Sequence, residues 1–268
     1  MGKKSDRVKR QPMGLARKII LMICLIVFCG SAAYIGLYVK DNTEAEKGFK
    51  AVTEKKENGL EEVYLENPDT VGWIEIEGTK INYPVMQTVG DPEFYLRKDF
   101  EKSYSDAGTP FMDAMSSIGE GSGSYRDGRG TWNWFIYGHN MKFGTMFHDL
   151  LEYDSYDFWK EHKTLRLDVI TEGGDSADDI EVEEGEYEIL ACAYSKIREV
   201  NSEGFRYYAY PGYNDRESFD EFVAGIKKES CYDTGITPEY GDQLVTLSTC
   251  AYHTDEGRFY MVARKVDR

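Results

Sequence analysis

A nucleophile, a proton donor and a fixed positive charge can be assembled from three residues of this chain. Cys250 closes the strand-like run Val245-Thr246-Leu247-Ser248-Thr249, and Arg258 opens the next run eight residues later. Thiolate is the nucleophilic form of cysteine, and a neighbouring guanidinium favours both it and an oxyanion growing on a substrate carbonyl. Such a pair needs a histidine to protonate the leaving amine. His139 fits best, because the run Trp134-Phe135-Ile136-Tyr137 ends at Gly138-His139-Asn140, where a loop can present the ring at a barrel mouth. His253 competes, but it lies three residues from Cys250 in a segment expected to turn sharply. His148 and His162 fall on one helical stretch and read as structural or surface residues. Plainer roles stand beside these: a lone cysteine at a strand end serves as a small buried hydrophobe, and Arg258 as a solvated strand-end charge. Cys250 and His253 lack a second ligand pair to complete a tetrahedral zinc site, and the sequence calls for no metal or other cofactor.

The elements that must position these residues are mostly short strands. Residues 71–76 and 81–86 alternate around a turn at Gly78, and further strand patterns cover 131–137, 165–170, 187–194, 243–249 and 258–266. Two helical stretches interrupt them, over 145–162 and 216–230. Seven or so strands with few helices predict a mainly β fold, a closed barrel decorated by helices. Residues 116–130, rich in Ser, Gly and charge, and residues 171–186, with eight acidic side chains and no basic one, read as solvated surface insertions. The second lacks the spacing of an EF-hand loop.

Charge and hydropathy then set the topology. The chain has 268 residues and a net charge of −16, which argues against nucleic acid as a partner. Its 41% apolar and 14% aromatic content can supply a sizeable core. The charge is unevenly placed: the first 18 residues carry +6, leaving −22 on the other 250. Residues 19–39 form 21 positions without a charge, enough to cross a bilayer as a helix. The basic flank in front predicts a cytoplasmic N-terminus and an extracellular body. A cleaved signal peptide ending at Ser31-Ala32-Ala33 is the competing reading, and the apolar residues that resume through 34–39 favour an uncleaved anchor. Residues 40–66, charged and free of proline, read as a stalk or helix that breaks at Asn67-Pro68. Beyond the span lie Cys192, Cys231 and Cys250, an odd number, so at least one exported thiol is unpaired.

The order Tyr137-Gly138-His139-Asn140, then Thr246-Leu247-Ser248-Thr249-Cys250, then Arg258 resembles the signature of sortases, the cysteine transpeptidases of Gram-positive surfaces. Asn67-Pro68-Asp69-Thr70-Val71-Gly72-Trp73-Ile74 is similar to the start of class B sortase domains. Tyr83-Pro84-Val85, Tyr95-Leu96, Gly144-Thr145-Met146-Phe147-His148-Asp149-Leu150 and the helix of 216–230 before the nucleophile strand are also similar. The resemblance spans residues 67–268. It implies an eight-stranded barrel with Cys250, His139 and Arg258 at one mouth. It also implies the reaction: Cys250 attacks the Thr carbonyl of a sorting motif in a secreted protein, of N-P-x-T or S/P-P-x-T-G type. His139 donates to the departing amine and Arg258 holds substrate or oxyanion. The thioacyl intermediate then passes to a cell-wall amine, in an exchange of amide for amide that needs no ATP. Leu96, Ser248 and Phe205 sit near positions that line the substrate groove in such relatives, the last on a loose loop alignment.

Two departures and one coincidence accompany the resemblance. Ala251 stands where some relatives place an acidic residue, and the 116–130 insertion is longer than is usual. Asn67-Pro68-Asp69-Thr70 itself looks like an N-P-x-T motif, but no apolar span and basic tail follow it, so it reads as a helix-to-strand junction. The expected layout is a basic tail (1–18), an anchor (19–39), a stalk (40–66) and an extracellular catalytic domain (67–268). The alternatives are a pilus-type sortase, a hydrolytic cysteine peptidase and a catalytically silent peptide-binding ectodomain.

Overall fold

The computed structural model describes residues 14–119, 130–199, 201–210 and 215–266. It divides into two compact units, residues 1–43 and 44–268. Helix α1 (Leu15–Lys56) supplies the described part of the first unit, and by length and composition it is long and apolar enough to cross a membrane. The rest of α1 belongs to the second unit, together with α2 (Leu60–Glu66).

The strands of the second unit, in chain order, are β1 (Thr70–Glu75), β2 (Asn82–Met86), β3 (Phe111–Met112), β4 (Asn133–Tyr137) and β5 (Thr164–Glu172), then β6 (Glu181–Glu183), β7 (Glu186–Lys196), β8 (Leu244–Cys250) and β9 (Gly257–Lys265). Hydrogen bonding links them as β1-β2-β3-β4-β8-β9-β7-β5, and a β1–β5 pairing closes this ring of eight. The eight-stranded barrel implied by the resemblance is therefore present. Strand β6 adds to β5 outside the ring. Two pairings are parallel, β2 with β3 and β4 with β8; the others are antiparallel.

Alternation along the strands sorts the side chains into two layers. Ile74, Val85, Ile136, Leu167, Ile189, Leu247 and Met261 fill the barrel interior. On the outer face of β4, β8, β9 and β7, Phe135, Leu244, Tyr260, Val262 and Leu190 pack under α4 (Arg216–Glu229). That helix starts where Asp215 accepts from the backbone N–H of Ser218 at 2.7 Å, a side-chain cap. Its Phe219, Phe222, Val223 and Ile226, at the spacing of one helical face, are buried against the sheet.

A third apolar cluster seats the helical entry on the barrel. Val52 of α1 and Leu60 and Val63 of α2 join Trp73, Met86, Tyr95 and Ile170, and Phe49 meets Tyr83 edge-on at 5.3 Å. Asp168 is a buried carboxylate, paired with Lys56 at 3.2 Å and Arg166 at 2.9 Å. Charged composition hid this contact in the sequence: four apolar residues among many charges suffice to dock a helix.

Several sequence expectations are refined. The helical stretch 145–162 divides into a 3-10 turn, His148–Asp154, and α3 (Tyr156–Glu161), because Ser155 breaks the first and caps the second through Phe158 N–H. Strand β4 begins at Asn133 rather than residue 131; Thr131 and Trp132 are buried ahead of it. Part of the acidic segment 171–186 is β6, whose Glu-Val-Glu pattern is too short and too charged to read as a strand. Residues 120–129, most of the other insertion, lie outside the described residues.

Phe222 tests the outer layer. It is fully buried and its ring contacts Trp132, Phe135, Phe205 and Tyr210. Phe222→Ala is expected to cost about 3–5 kcal/mol in urea denaturation; a loss below about 1 kcal/mol would show that α4 is not integral to the barrel.

Candidate active site

Strands β4 and β8 run parallel, with Tyr137 level with Ser248. Both chains therefore leave the sheet at the same mouth, and His139 and Cys250 each lie two residues beyond that level pair. Local bonds keep the register past the strand ends. Gly138 N–H donates to the Ser248 carbonyl at 3.1 Å, Thr249 Oγ1 donates to the Gly138 carbonyl at 2.8 Å, and Asn140 Nδ2 donates to the Cys250 carbonyl at 2.9 Å. Gly138 is required here, since a Cβ would lie 2.6 Å from the ring of Phe147.

The antiparallel β8–β9 pair sets Cys250 directly opposite Arg258. Directly opposed residues share a face of the sheet. Val245 and Leu247 point into the barrel, as do Phe259 and Met261. Cys250 and Arg258 therefore project from the outer face, in line with Ser248 and Tyr260. The thiol is half-buried. Arg258 donates to the Gly257 carbonyl at 3.0 Å and meets the exposed Glu256 carboxylate at 3.9 Å, a loose pair of little worth.

His139 is held by its ring. Nε2 lies 2.9 Å from the Leu96 carbonyl, which can only accept, so Nε2 carries the hydrogen. Burial lowers the pKa of His139 below its usual 6.5, and the positive charge of Arg97 lowers it further; the bond to Leu96 and the charge of Asp106 oppose this. Leu96 thus reaches the site through its backbone, orienting the imidazole.

The other candidates have separate surroundings. Ser248 is buried, its Oγ 2.7 Å from the hydroxyl of Tyr207. Tyr207 stacks on Tyr260 at 4.2 Å, and burial pushes its pKa up to about 12. Phe205 packs on α4 against Phe222 and Tyr210, lying so close to Gly225 that a Cβ there would meet its ring at 2.2 Å. His253 stacks edge-on with Tyr194 at 4.8 Å, whose hydroxyl donates to Asp154. His162 bonds the Glu77 carbonyl at 2.9 Å, a structural role.

The remaining exported thiols are poorly suited to attack. Cys192 lies inside the barrel and Cys231 on its surface, and desolvation raises the pKa of both, strongly for Cys192. Sequence reasoning passed over three side chains that build the site: Tyr207, which covers Ser248; Asp113, which accepts from the Tyr137 hydroxyl at 3.0 Å; and His148, 2.7 Å from Asn140. Only His148 had a signal, nine residues after His139 within the motif-like run of 144–150.

No family model matches the chain. Sortase B of Listeria monocytogenes is 29% identical over 258 residues, covering 91% of this chain and 94% of the relative. Sortase B of Staphylococcus aureus is 25% identical over 260 residues, covering 92% and 94%. A solved Staphylococcus aureus sortase B–substrate complex has the same fold, with a TM-score of 0.67 and 21% identity over 85% of this chain and 99% of that one. With likeness along nearly the full length of both relatives, and an eight-stranded barrel that sets Cys250 opposite Arg258 with His139 at the matching offset, the chain is similar to the class B sortases, and these homologues indicate a cysteine transpeptidase.

Proposed function

We propose that Cys250 is the nucleophile, His139 the proton-transfer residue and Arg258 the oxyanion and substrate-binding group of a membrane-anchored sortase. The observation that carries this reading is the register: Cys250 opposite Arg258 on one face, with His139 at the matching offset on the parallel neighbour. Residues 19–39 serve as the anchor, behind a cytoplasmic tail of 1–18. Residues 40–66 lead to an extracellular catalytic domain of 67–268.

The chemistry follows from the groups. Nε2 of His139 already bears a hydrogen, so Nδ1 is the nitrogen that takes the thiol proton. The thiolate attacks the Thr carbonyl of a sorting motif, of N-P-x-T or S/P-P-x-T-G type, near the C-terminus of a secreted protein. Arg258 meets the developing oxyanion. The imidazolium returns its proton to the leaving amine, and the C–N bond breaks to leave a thioacyl enzyme. A cell-wall amine then attacks, losing a proton to His139, and the thiol is restored. Leu96, Ser248 and Phe205 are proposed to border the peptide groove; a relative has been solved with substrate bound, which supports a peptide ligand of this class.

Intact-mass spectrometry of the full chain in detergent micelles, offered N-P-x-T and S/P-P-x-T-G peptides, is expected to show an added mass equal to the peptide's N-terminal fragment. Cys250→Ala should abolish it. His139→Ala should lower turnover by roughly 10²–10⁴-fold, whereas His253→Ala should stay near wild type. The reverse ranking would replace His139 with His253. Added amine should speed turnover or change the product; indifference to amine would favour the hydrolytic peptidase, and peptide binding without adduct the silent ectodomain.

His139 supplies a second test. Its pKa, read by NMR titration, is expected below 6.5, and Arg97→Gln should raise it by removing a positive neighbour. Between the lowered value and 6.5 the unfolded chain binds a proton that the folded chain refuses. His139 therefore contributes stability above pH 6.5 that is lost as pH falls through that window. A value above 6.5 would overturn the burial argument.

A further inference from the structure

Asn140 and His148 take no part in the proton transfers above, yet they connect the two residues that do. The carbonyl of Cys250 can only accept, so Asn140 turns its amide N–H toward it at 2.9 Å, and its own Oδ1 away. That Oδ1 lies 2.7 Å from Nδ1 of His148. An amide oxygen donates nothing, so Nδ1 of His148 carries the hydrogen whatever the charge of the ring. Each bond fixes the polarity of the next, and the chain runs in one direction: His148 to Asn140 to the peptide carbonyl of Cys250.

The two ends of this relay are braced separately. Asn140 directly follows His139 in a loop closed by the Phe147 N–H donating to the His139 carbonyl at 2.9 Å and by a bridge between Asn140 and Met146. Met146 N–H donates to the Tyr83 hydroxyl at 3.1 Å, tying the loop to β2. His148 opens the 3-10 turn whose Leu150 and Tyr153 are buried in the barrel core. The thiol-to-imidazole geometry can drift in two ways, by a swing of the Cys250 peptide or by a swing of the His139 loop. Asn140 joins both in a single side chain.

We propose that Asn140 and His148 are positioning residues of this active site: His148 orients the Asn140 amide, and Asn140 holds the Cys250 peptide unit at the offset from His139 that proton exchange requires. The proposal rests on the assignment of Cys250 and His139 given above.

The test is steady-state kinetics of the full chain in detergent micelles, with the motif peptide that gives the adduct and an amine acceptor, alongside the melting temperature of each variant. Asn140→Ala and His148→Ala are expected to lower kcat roughly tenfold or more, since small misplacements of reacting groups are costly, with KM for the peptide within about twofold. The double variant should lose no more than Asn140→Ala alone, because the two act in series. His148→Asn, whose amide N–H mimics Nδ1, should recover most of kcat. Asn140→Asp keeps the shape but cannot donate to a carbonyl, so it should behave as Asn140→Ala and serves where the alanine variant fails to fold. Full kcat with a lowered melting temperature, additive losses, or a His148→Asn variant no better than His148→Ala would each overturn the relay. Wild-type chain without turnover dependent on Cys250 would overturn the catalytic assignment, and the relay with it.

Discussion

Everything at the mouth depends on one parallel pairing, β4 against β8. Parallel strands cannot be joined by a tight turn; they need a long crossover, and here the residues brought into contact are as far apart as Asn140 and Cys250, 110 positions along the chain. Holding such a pair in register costs loop-closure entropy that the pairing itself does not recover. The barrel supplies the difference. Closure of β1 on β5 leaves β4 and β8 no edge along which to slip, and the alternation of Ile136 and Leu247 inward with Phe135 and Leu244 outward ties register to burial on both faces. A shift by one residue would turn Cys250 into the barrel and Leu247 out of it.

The second constraint is electrostatic. The body of the protein is strongly acidic, yet the mouth is bordered by Arg258 and Arg97, with His139 desolvated beside them. Burial favours the neutral imidazole, so that under the proposed assignment the ring would wait as a base and become an acid only after taking a proton from the thiol. The surrounding hydroxyls do not compete for that role: burial and nearby acidic groups raise the pKa values of Tyr137 and Tyr260, and burial raises that of Tyr207. They act as fixed dipoles, aimed at Asp113, Ser248 and Glu229.

Much of this was legible before any coordinates. Seven strands and α4 announced themselves by period; strand-end places made Cys250, His139 and Arg258 candidates only, and it was the resemblance to sortases that singled them out. What stayed hidden has common causes. Strands β3 and β6 are two and three residues long, too short for alternation to register. The docking of 44–66 rests on Phe49, Val52, Leu60 and Val63 dispersed among charges. Tyr207 and Asp113 join the site through tertiary contacts with no signature in local spacing. His148 was dismissed because a histidine on a helical stretch is ordinarily structural. Its bond to Asn140 arises because the helix it was expected to occupy begins as a 3-10 turn folded back on the His139 loop.

The pairing of Ser248 with Tyr207 bears on how a peptide can be recognised. Two hydroxyls facing each other at 2.7 Å share one hydrogen between them, so whichever is the donor, the pair retains a single O–H to offer outward. The raised pKa of Tyr207 keeps that hydrogen in place across the physiological range. A peptide carbonyl lying along the row from Cys250 to Ser248 would therefore meet a donor and not an anion. Both residues are buried, so a peptide can reach this donor only if the packing around it gives way. Selectivity would then reside in the cost of moving a stacked aromatic pair, Tyr207 on Tyr260, as much as in any contact made afterwards.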